Sequence, residues 1–359
     1  MKVLILSTYE RTGGAAIAAS RLLQALRKSG VDATMMCRRN ISWGPVALRK
    51  QSWTSIWERM VIWSRNGFSK TNLWASDIAN CGQDITQAQE YKEADVIHLH
   101  WVNQGFLSLK TIEKITRSGK RVVWTMHDEW PLDGVKHYYD DDERDAADEA
   151  IIARKKKAYG IGDITFVACS QWLKKLSENK PLSENQKIVS IPNAIDTEIF
   201  HPMSHENKRR VLFVAQKVSD ERKGIRYLDE ASKMLNDVEV LALGRDIPYI
   251  NNEKEMARLY ASVDAFVTPS LRDNLPNTIM EAMACGTPCV GFNVGGIPEM
   301  IDHKENGYVA RYKDAGDLAA GIRYVLDNHD QMGKAAREKV LREYSEKAVA
   351  DRYIELYNA

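Results

Sequence analysis

Ser270-Leu271-Arg272-Asp273-Asn274-Leu275-Pro276-Asn277-Thr278-Ile279-Met280-Glu281-Ala282-Met283-Ala284-Cys285-Gly286-Thr287-Pro288 decides how the chain is read. The stretch reads as the end of a buried strand, a loop that opens a helix, a short helix, a Gly stop and a second strand. Asp273 stands just ahead of the helix, where unpaired backbone N–H groups and the positive end of the dipole favour anions. Glu281 lies about two turns along, beside Ala282, Ala284 and Gly286, small residues that let another group approach closely. Two carboxylates so spaced can grip neutral hydroxyls of a ligand whose phosphates lie at a helix N-terminus. A capping Asp followed by an ordinary helix Glu gives the same spacing. The adjoining Cys285-Gly286-Thr287-Pro288 and Gly295-Gly296-Ile297-Pro298-Glu299 argue against that plainer reading.

Outward from this stretch, short apolar runs alternate with helical ones. Strands are expected at 2–7, 33–37, 95–99, 121–125, 164–168 and 187–191, and again at 210–215, 238–243, 265–268 and 288–292. Most are continuously apolar, as befits strands buried on both faces of a parallel sheet. Helices are expected at 15–28, 109–118, 225–235 and 253–261. The alternation predicts an α/β protein, and a length of 359 residues predicts two doubly wound, Rossmann-like domains. The expected division is 1–195, 196–340 and a C-terminal helix at 341–359 packing back on the first domain, with the break in the polar, Pro-flanked segment from Pro192 to Lys208. Ligands of such sheets bind outside the carboxyl ends of the strands, so a cleft between the domains is the expected site.

Composition excludes several classes. Lys+Arg (50) and Asp+Glu (49) nearly cancel to +1, which argues against a nucleic-acid binder. The five cysteines, Cys37, Cys81, Cys169, Cys285 and Cys289, show no zinc spacing and suggest a reducing compartment. The first apolar run is too short for a signal peptide, and no run reaches the roughly 20 residues of a membrane helix.

Other motifs lie at strand ends. Gly13-Gly14 opens a helix after the first strand and suits close approach to a phosphate, although a tight turn would read the same. It is not GxGxxG, so nicotinamide or flavin binding is not supported. Lys217 and Lys223 flank a polar loop, and two cations there can neutralise a diphosphate; plain surface charge is the alternative. His98 and His100 share one face of a strand, without a third ligand, so no metal is expected. His127-Asp128 offers an imidazole with a nearby carboxylate, fit for sugar hydroxyls or a phosphate, or for capping a loop. Trp53, Ile56, Trp57, Met60 and Trp63 fall near one helical face among Arg49, Lys50, Arg59 and Arg65. Two readings stay open there: a membrane-interface helix, or a helix packed on its own domain. The acidic run 140–145 reads as a solvated loop.

Together these residues resemble a family 4 glycosyltransferase of the GT-B fold over nearly the whole length. Asp273 to Glu281 with the Gly-rich segment at 295–299 resembles the family's EX7E block. Ile191-Pro192-Asn193-Ala194-Ile195-Asp196 with Phe200 resembles its interdomain signature, and Lys223-Gly224 its phosphate loop. Trp124 to Tyr138 is similar to transferases of bacterial capsule, O-antigen and exopolysaccharide synthesis, some of which carry cysteines just after this point, where this chain has none. The resemblance implies a cytoplasmic, metal-independent retaining hexosyltransferase, peripheral at the membrane's inner face. Its donor would be a UDP- or GDP-linked sugar, its acceptor a glycan or polyprenyl-linked glycan, and no cofactor would be needed. It implies that Glu281 binds the ribose and that Asp273, with the Asn274 and Leu275 backbones, faces the donor sugar. Lys223 and Lys217 would neutralise the diphosphate, and Gly13 and Gly14 would lie near the phosphates. His127 would sit near the transferred sugar, with His100 and Asp128 toward the acceptor.

Two departures stand out. The first acid of the block is Asp, one methylene shorter than Glu. Lys217, beside Gln216, stands where the family has an Arg, and lacks its bidentate fork. An epimerase or hydrolase on the same fold would consume donor without an acceptor, and a sugar-nucleotide sensor would bind it without turnover.

Overall fold

The structure is a computed structural model. It describes all residues except 40–45, 48–51, 70–72, 74, 140–143, 161–162, 205–207 and 216. The chain divides into two compact units, Met1–Ile191 with Ala350–Ala359, and Pro192–Val349. The division falls after Ile191 rather than after residue 195.

Unit 1 runs β1 (Lys2–Tyr9), α1 (Gly14–Lys28), β2 (Asp32–Arg39), β3 (Val46–Ala47), α2 (Ser52–Arg65), α3 (Gln89–Glu93), β4 (Val96–Leu99), α4 (Leu109–Thr116), β5 (Arg121–Met126), α5 (Ala146–Tyr159), β6 (Ile164–Ala168), α6 (Gln171–Ser177) and β7 (Lys187–Ser190). Its strands form a parallel sheet in the order β3-β2-β1-β4-β5-β6-β7. The apolar runs are what this position demands: Val3 to Leu6 in β1 are at most 2% exposed, covered on both faces. α1 packs through Ala16, Ala18, Ala19, Leu22, Leu23, Ala25 and Leu26. In β5, Trp124 stacks on Phe166 (5.8 Å) and meets Tyr159 edge-on (5.7 Å). Its Nε1 donates to the carbonyl of His100 at 3.0 Å, so the core aromatic also fixes the end of β4.

Unit 2 runs β8 (Arg210–Val214), α7 (Ile225–Ser232), β9 (Glu239–Leu243), α8 (Glu253–Ala261), β10 (Ala265–Thr268), α9 (Asn277–Ala284), β11 (Cys289–Phe292), α10 (Ile297–Met300), β12 (Gly307–Ala310), α11 (Ala315–Asp327), α12 (His329–Glu343) and the start of α13 (Glu346–Asn358). The parallel sheet has the order β12-β11-β10-β8-β9. α9 buries Ile279, Met280, Ala282, Met283 and Ala284 together with Glu281, and is closed by Cys285 and Gly286.

Two short strands, β3 and β12, were not expected from sequence. The ten expected strands match observed ones to within two residues at either end. The last part of α13 belongs to unit 1: Tyr353 OH meets Thr125 Oγ1 (2.8 Å), Tyr357 OH meets His98 Nδ1 (2.6 Å), and Arg121 donates to the carbonyl of Leu356 (3.1 Å). The acidic run at 140–143 lies outside the described residues. Of its remainder, Arg144 pairs with buried Asp133 (2.7 Å) and Asp145 caps α5, so neither is a merely solvated charge.

Candidate functional site

In unit 2, β8 and β10 are sheet neighbours although β9 separates them in sequence. The strand order reverses there, and doubly wound sheets hold ligands at such a switch point. The loop after β8 ends at Gly224, whose φ is +69°, and a Cβ there would lie 1.9 Å from the carbonyl oxygen of Pro269. Glycine therefore lets the loop after β8 lie directly on the loop after β10. Leu271 N–H donates to the carbonyl of Arg222 (2.8 Å) and locks the two loops together.

This contact delivers Lys223 Nζ to Asp273 Oδ2 at 2.6 Å, and Ser270 Oγ donates to the same oxygen at 3.3 Å. The side chains of Lys223 and Asp273 are 25% and 17% exposed, so solvent screens the pair and an arriving anion can compete for the lysine. Gly295 seats the backbone of Asp273: its φ is +59° and a Cβ would stand 1.7 Å from the Asp273 carbonyl oxygen. Asn274 and Leu275 follow, both buried.

Glu281 is a buried carboxylate among the apolar side chains of α9, and its Oε2 accepts from Tyr260 OH on α8 at 3.0 Å. Tyr260 is itself fixed edge-on against Phe266 (5.6 Å). The interdomain motif ties into the same helix. Asn193 donates to Asn277 at the first turn (3.1 Å), and Arg337 bonds the carbonyls of Ala284 (2.7 Å), Phe200 (2.6 Å) and Thr197 (3.0 Å) at its end. Lys217 is exposed at the head of the β8 loop, and Gln216 lies outside the described residues. The cysteines Cys285 and Cys289 are free and buried, and burial pushes the Cys285 thiol up to about 12.

In unit 1 the switch point lies between β1 and β4. Gly13 and Gly14 open α1 after β1, Gly13 half-buried and Gly14 exposed. The ends of β4 and β5 bring three histidines into a row. His98 and His100 rings lie 4.5 Å apart, and His100 Nδ1 meets His127 Nε2 at 3.1 Å. His98 Nε2 meets Thr125 Oγ1 at 2.8 Å. Burial pushes His98 down to about 3 and His127 to about 4, the latter in spite of Asp128, and holds His100 well below the usual range. All three are thus neutral near pH 7, each with one donor and one acceptor nitrogen.

The imidazole that Asp128 hydrogen-bonds is that of His137. Asp128 Oδ2 meets His137 Nδ1 at 2.8 Å, and His137 Nε2 meets Asp77 Oδ2 at 2.8 Å. Burial opposes a charge on His137, but the two carboxylates outweigh it and raise its pKa to about 10. Asp77 also pairs with Arg59 of α2 and accepts from the N–H of Gln104 (3.1 Å). Around this chain, Lys155 donates to the carbonyls of Trp130, Asp133 (2.8 Å) and Gly134 (2.9 Å), and Lys180 bridges Glu129 (2.5 Å) and Asp133 (3.0 Å). The loop after β5 is therefore held by buried charge. Sequence reading missed Tyr260, Ser270, Asp77, His137 and Tyr353. Ser270 and His137 lay in segments already singled out and Tyr353 in the C-terminal helix expected to pack back, but none has a local signature of its own.

The family model described as Glycosyltransferase Family 4 matches residues 12–199, and that described as Glycosyl transferases group 1 matches residues 208–328. The N-acetyl-alpha-D-glucosaminyl L-malate synthase of Bacillus anthracis is 31% identical over 36% of this chain and 34% of its own length. The N,N'-diacetylbacillosaminyl-diphospho-undecaprenol alpha-1,3-N-acetylgalactosaminyltransferase of Campylobacter jejuni is 26% identical over 54% of this chain and 60% of its own. The chain thus spans between about a third and three fifths of these curated relatives. The crystal structure of Anabaena Alr3699/HepE in complex with UDP covers 100% of both chains at 15% identity, with a TM-score of 0.62. The fold is GT-B, built of two Rossmann-like α/β units. The chain belongs to glycosyltransferase family 4.

Proposed function

We propose that the protein is a retaining, metal-independent hexosyltransferase. It would move a sugar from a UDP- or GDP-linked donor to a glycan or polyprenyl-linked glycan acceptor in surface polysaccharide synthesis. The observation that carries this reading is the Lys223–Asp273 pair at the unit 2 switch point, with Glu281 buried on the helix that follows. The UDP in the Anabaena complex supports a UDP-linked donor, and the name of the Campylobacter relative supports a polyprenyl-linked acceptor.

In this reading the donor diphosphate displaces Asp273 from Lys223, which then neutralises the negative charge building on the leaving group. Lys217 adds a second cation from the same loop. Released from the ion pair, Asp273 accepts from a hydroxyl of the donor sugar. Glu281, oriented by Tyr260, accepts from the ribose hydroxyls. Unit 1 receives the acceptor, with neutral His127 hydrogen-bonding a sugar hydroxyl and His100 fixing its tautomer. The acceptor oxygen attacks the anomeric carbon on the face from which the diphosphate leaves. The carbon–oxygen bond to phosphate breaks, and the acceptor proton passes to the departing diphosphate.

The test is turnover of UDP- and GDP-sugars with excess EDTA, followed as release of nucleoside diphosphate together with glycosylated acceptor. Release without acceptor modification would replace the reading by a hydrolase. Full activity in Glu281→Ala would sink it.

A further inference from the structure

The described exposed large apolar side chains are not scattered. Six of the eleven, Trp53 (79%), Ile56, Trp57, Met60, Trp63 and Phe68 (65%), lie on α2 and just beyond it. Trp63 and Phe68 pack edge-on at 4.9 Å, so the cluster is continuous past the helix end. The helix does pack on its own unit, but through its other side: the apolar stripe faces outward.

The inward face of α2 is unusually polar. Glu58 is fully buried, and its Oε1 accepts from the N–H groups of Ile78 (3.1 Å) and Ala79 (2.7 Å). Arg59 pairs with Asp77 and donates to the carbonyl of Leu73 (2.6 Å), and Thr54 donates to the carbonyl of Gly105 (2.8 Å). Ile62 is the one described apolar side chain of the helix that is buried. A helix held by its polar side and turning its tryptophans out is built for an apolar partner, since a patch of this size seldom stays exposed.

The charge around the patch selects the partner. Glu58 is the only acid in α2 and it points inward, so the outer face carries none. Arg65 is exposed at the helix end, and Arg154 of α5 is exposed in the same unit. The pKa of Arg154 is lowered first by partial burial and then by the charge of Arg65. Lys157, also exposed, follows Arg154 by one helical turn. Tryptophan prefers the headgroup level of a bilayer, and cations beside it prefer acidic headgroups. A second copy of this chain would set one basic rim against another and is disfavoured.

We propose that α2 with Phe68 is a docking ledge for an anionic lipid surface, its tryptophans entering the headgroup layer while Arg65 and Arg154 meet acidic headgroups. This deepens the reading above, because it names the surface on which a polyprenyl-linked acceptor is met. The inner face of the ledge connects through Arg59, Asp77 and His137 to Asp128, beside His127.

Co-sedimentation of the full chain with vesicles of phosphatidylcholine alone, or of equimolar phosphatidylglycerol and phosphatidylcholine, tests it without any nucleotide sugar. Its failure is thus separable from failure of the transferase reading. The chain is expected in the pellet with anionic vesicles, and Trp53→Ser/Trp57→Ser/Trp63→Ser should lower that binding by roughly tenfold or more. Arg65→Glu/Arg154→Glu should weaken anionic binding by roughly tenfold and leave neutral binding unchanged. An unchanged melting temperature shows that each variant is folded. A wild-type chain left in the supernatant overturns the proposal, as does unchanged partitioning of the tryptophan variant. A dimer in sedimentation equilibrium that the tryptophan variant disperses would assign the face to a second copy instead.

Discussion

The two switch points of this protein are built in opposite ways. In unit 2, Asp273 and Glu281 lie eight residues apart on one loop and helix, and Lys223 is added by a single glycine-enabled contact. Its ion pair is partly exposed and exchangeable. In unit 1 the corresponding strand ends carry His100 and His127, but what positions them comes from all over the sequence: Asp77, His137, Lys155, Lys180 and Tyr353. These groups are buried and locked. In the proposed reading, a site that exchanges partners with a substrate keeps a soft ion pair. A site meant to hold a loop in place spends buried polar groups on it, and removing one partner there strands another in low dielectric.

The comparison breaks most visibly at Glu281. Glu281→Ala should lower turnover by about a thousandfold or more while the melting temperature changes little. Lys223→Ala should cost about a hundredfold or more in kcat/KM, measured as nucleotide release. If both variants kept activity, the soft pair would not be a donor site.

The next effect belongs to unit 1. His137→Gln breaks two buried charge contacts and should destabilise the protein by about 3–5 kcal/mol in denaturant unfolding. Its pH dependence carries a sign. The folded pKa of His137, about 10, lies above its ordinary value of 6.5, so its stabilisation is full below 6.5 and is lost as pH rises toward 10. His127 and His98 run the other way, with stability present above 6.5 and lost as pH falls toward about 4 and about 3. Melting temperature against pH should therefore fall on both sides of neutrality. In His137→Gln the alkaline limb should flatten and the acid limb remain.

A smaller effect sharpens the contrast. Tyr260→Phe removes the hydroxyl that orients Glu281 and should reduce kcat/KM about tenfold, mostly through KM, with about 1 kcal/mol of stability lost. The smallest effect per site is that of the tryptophan triple variant on stability. Its side chains touch water already, so the melting temperature should stay within the equivalent of about 0.5 kcal/mol per site.

Much of the molecule was legible beforehand. Apolar runs of four to six residues between Gly- and Pro-marked loops located ten strands, because a strand buried on both faces must be continuously apolar. β3 and β12 escaped: β3 has two residues, and β12 is partly exposed and includes a glycine, so neither produces a run. The Lys223–Asp273 juxtaposition was within reach, since both residues sat at strand ends. The hydrogen bond of Asp128 to His137 was not, because the two are nine residues apart and only the fold brings them together.

By itself the sequence determined the α/β class, the two-unit organisation, the family and the acidic block of unit 2, since each of these is carried by local periodicity or by residues within about one helix of each other. Only the tertiary structure decided which groups share a proton or a charge across long separations, and which way α2 faces. Periodicity reports that a helix has an apolar side. It does not report whether the rest of the fold supplies an apolar surface to cover it or, as here, buried carboxylates and backbone N–H groups that bind its polar side instead.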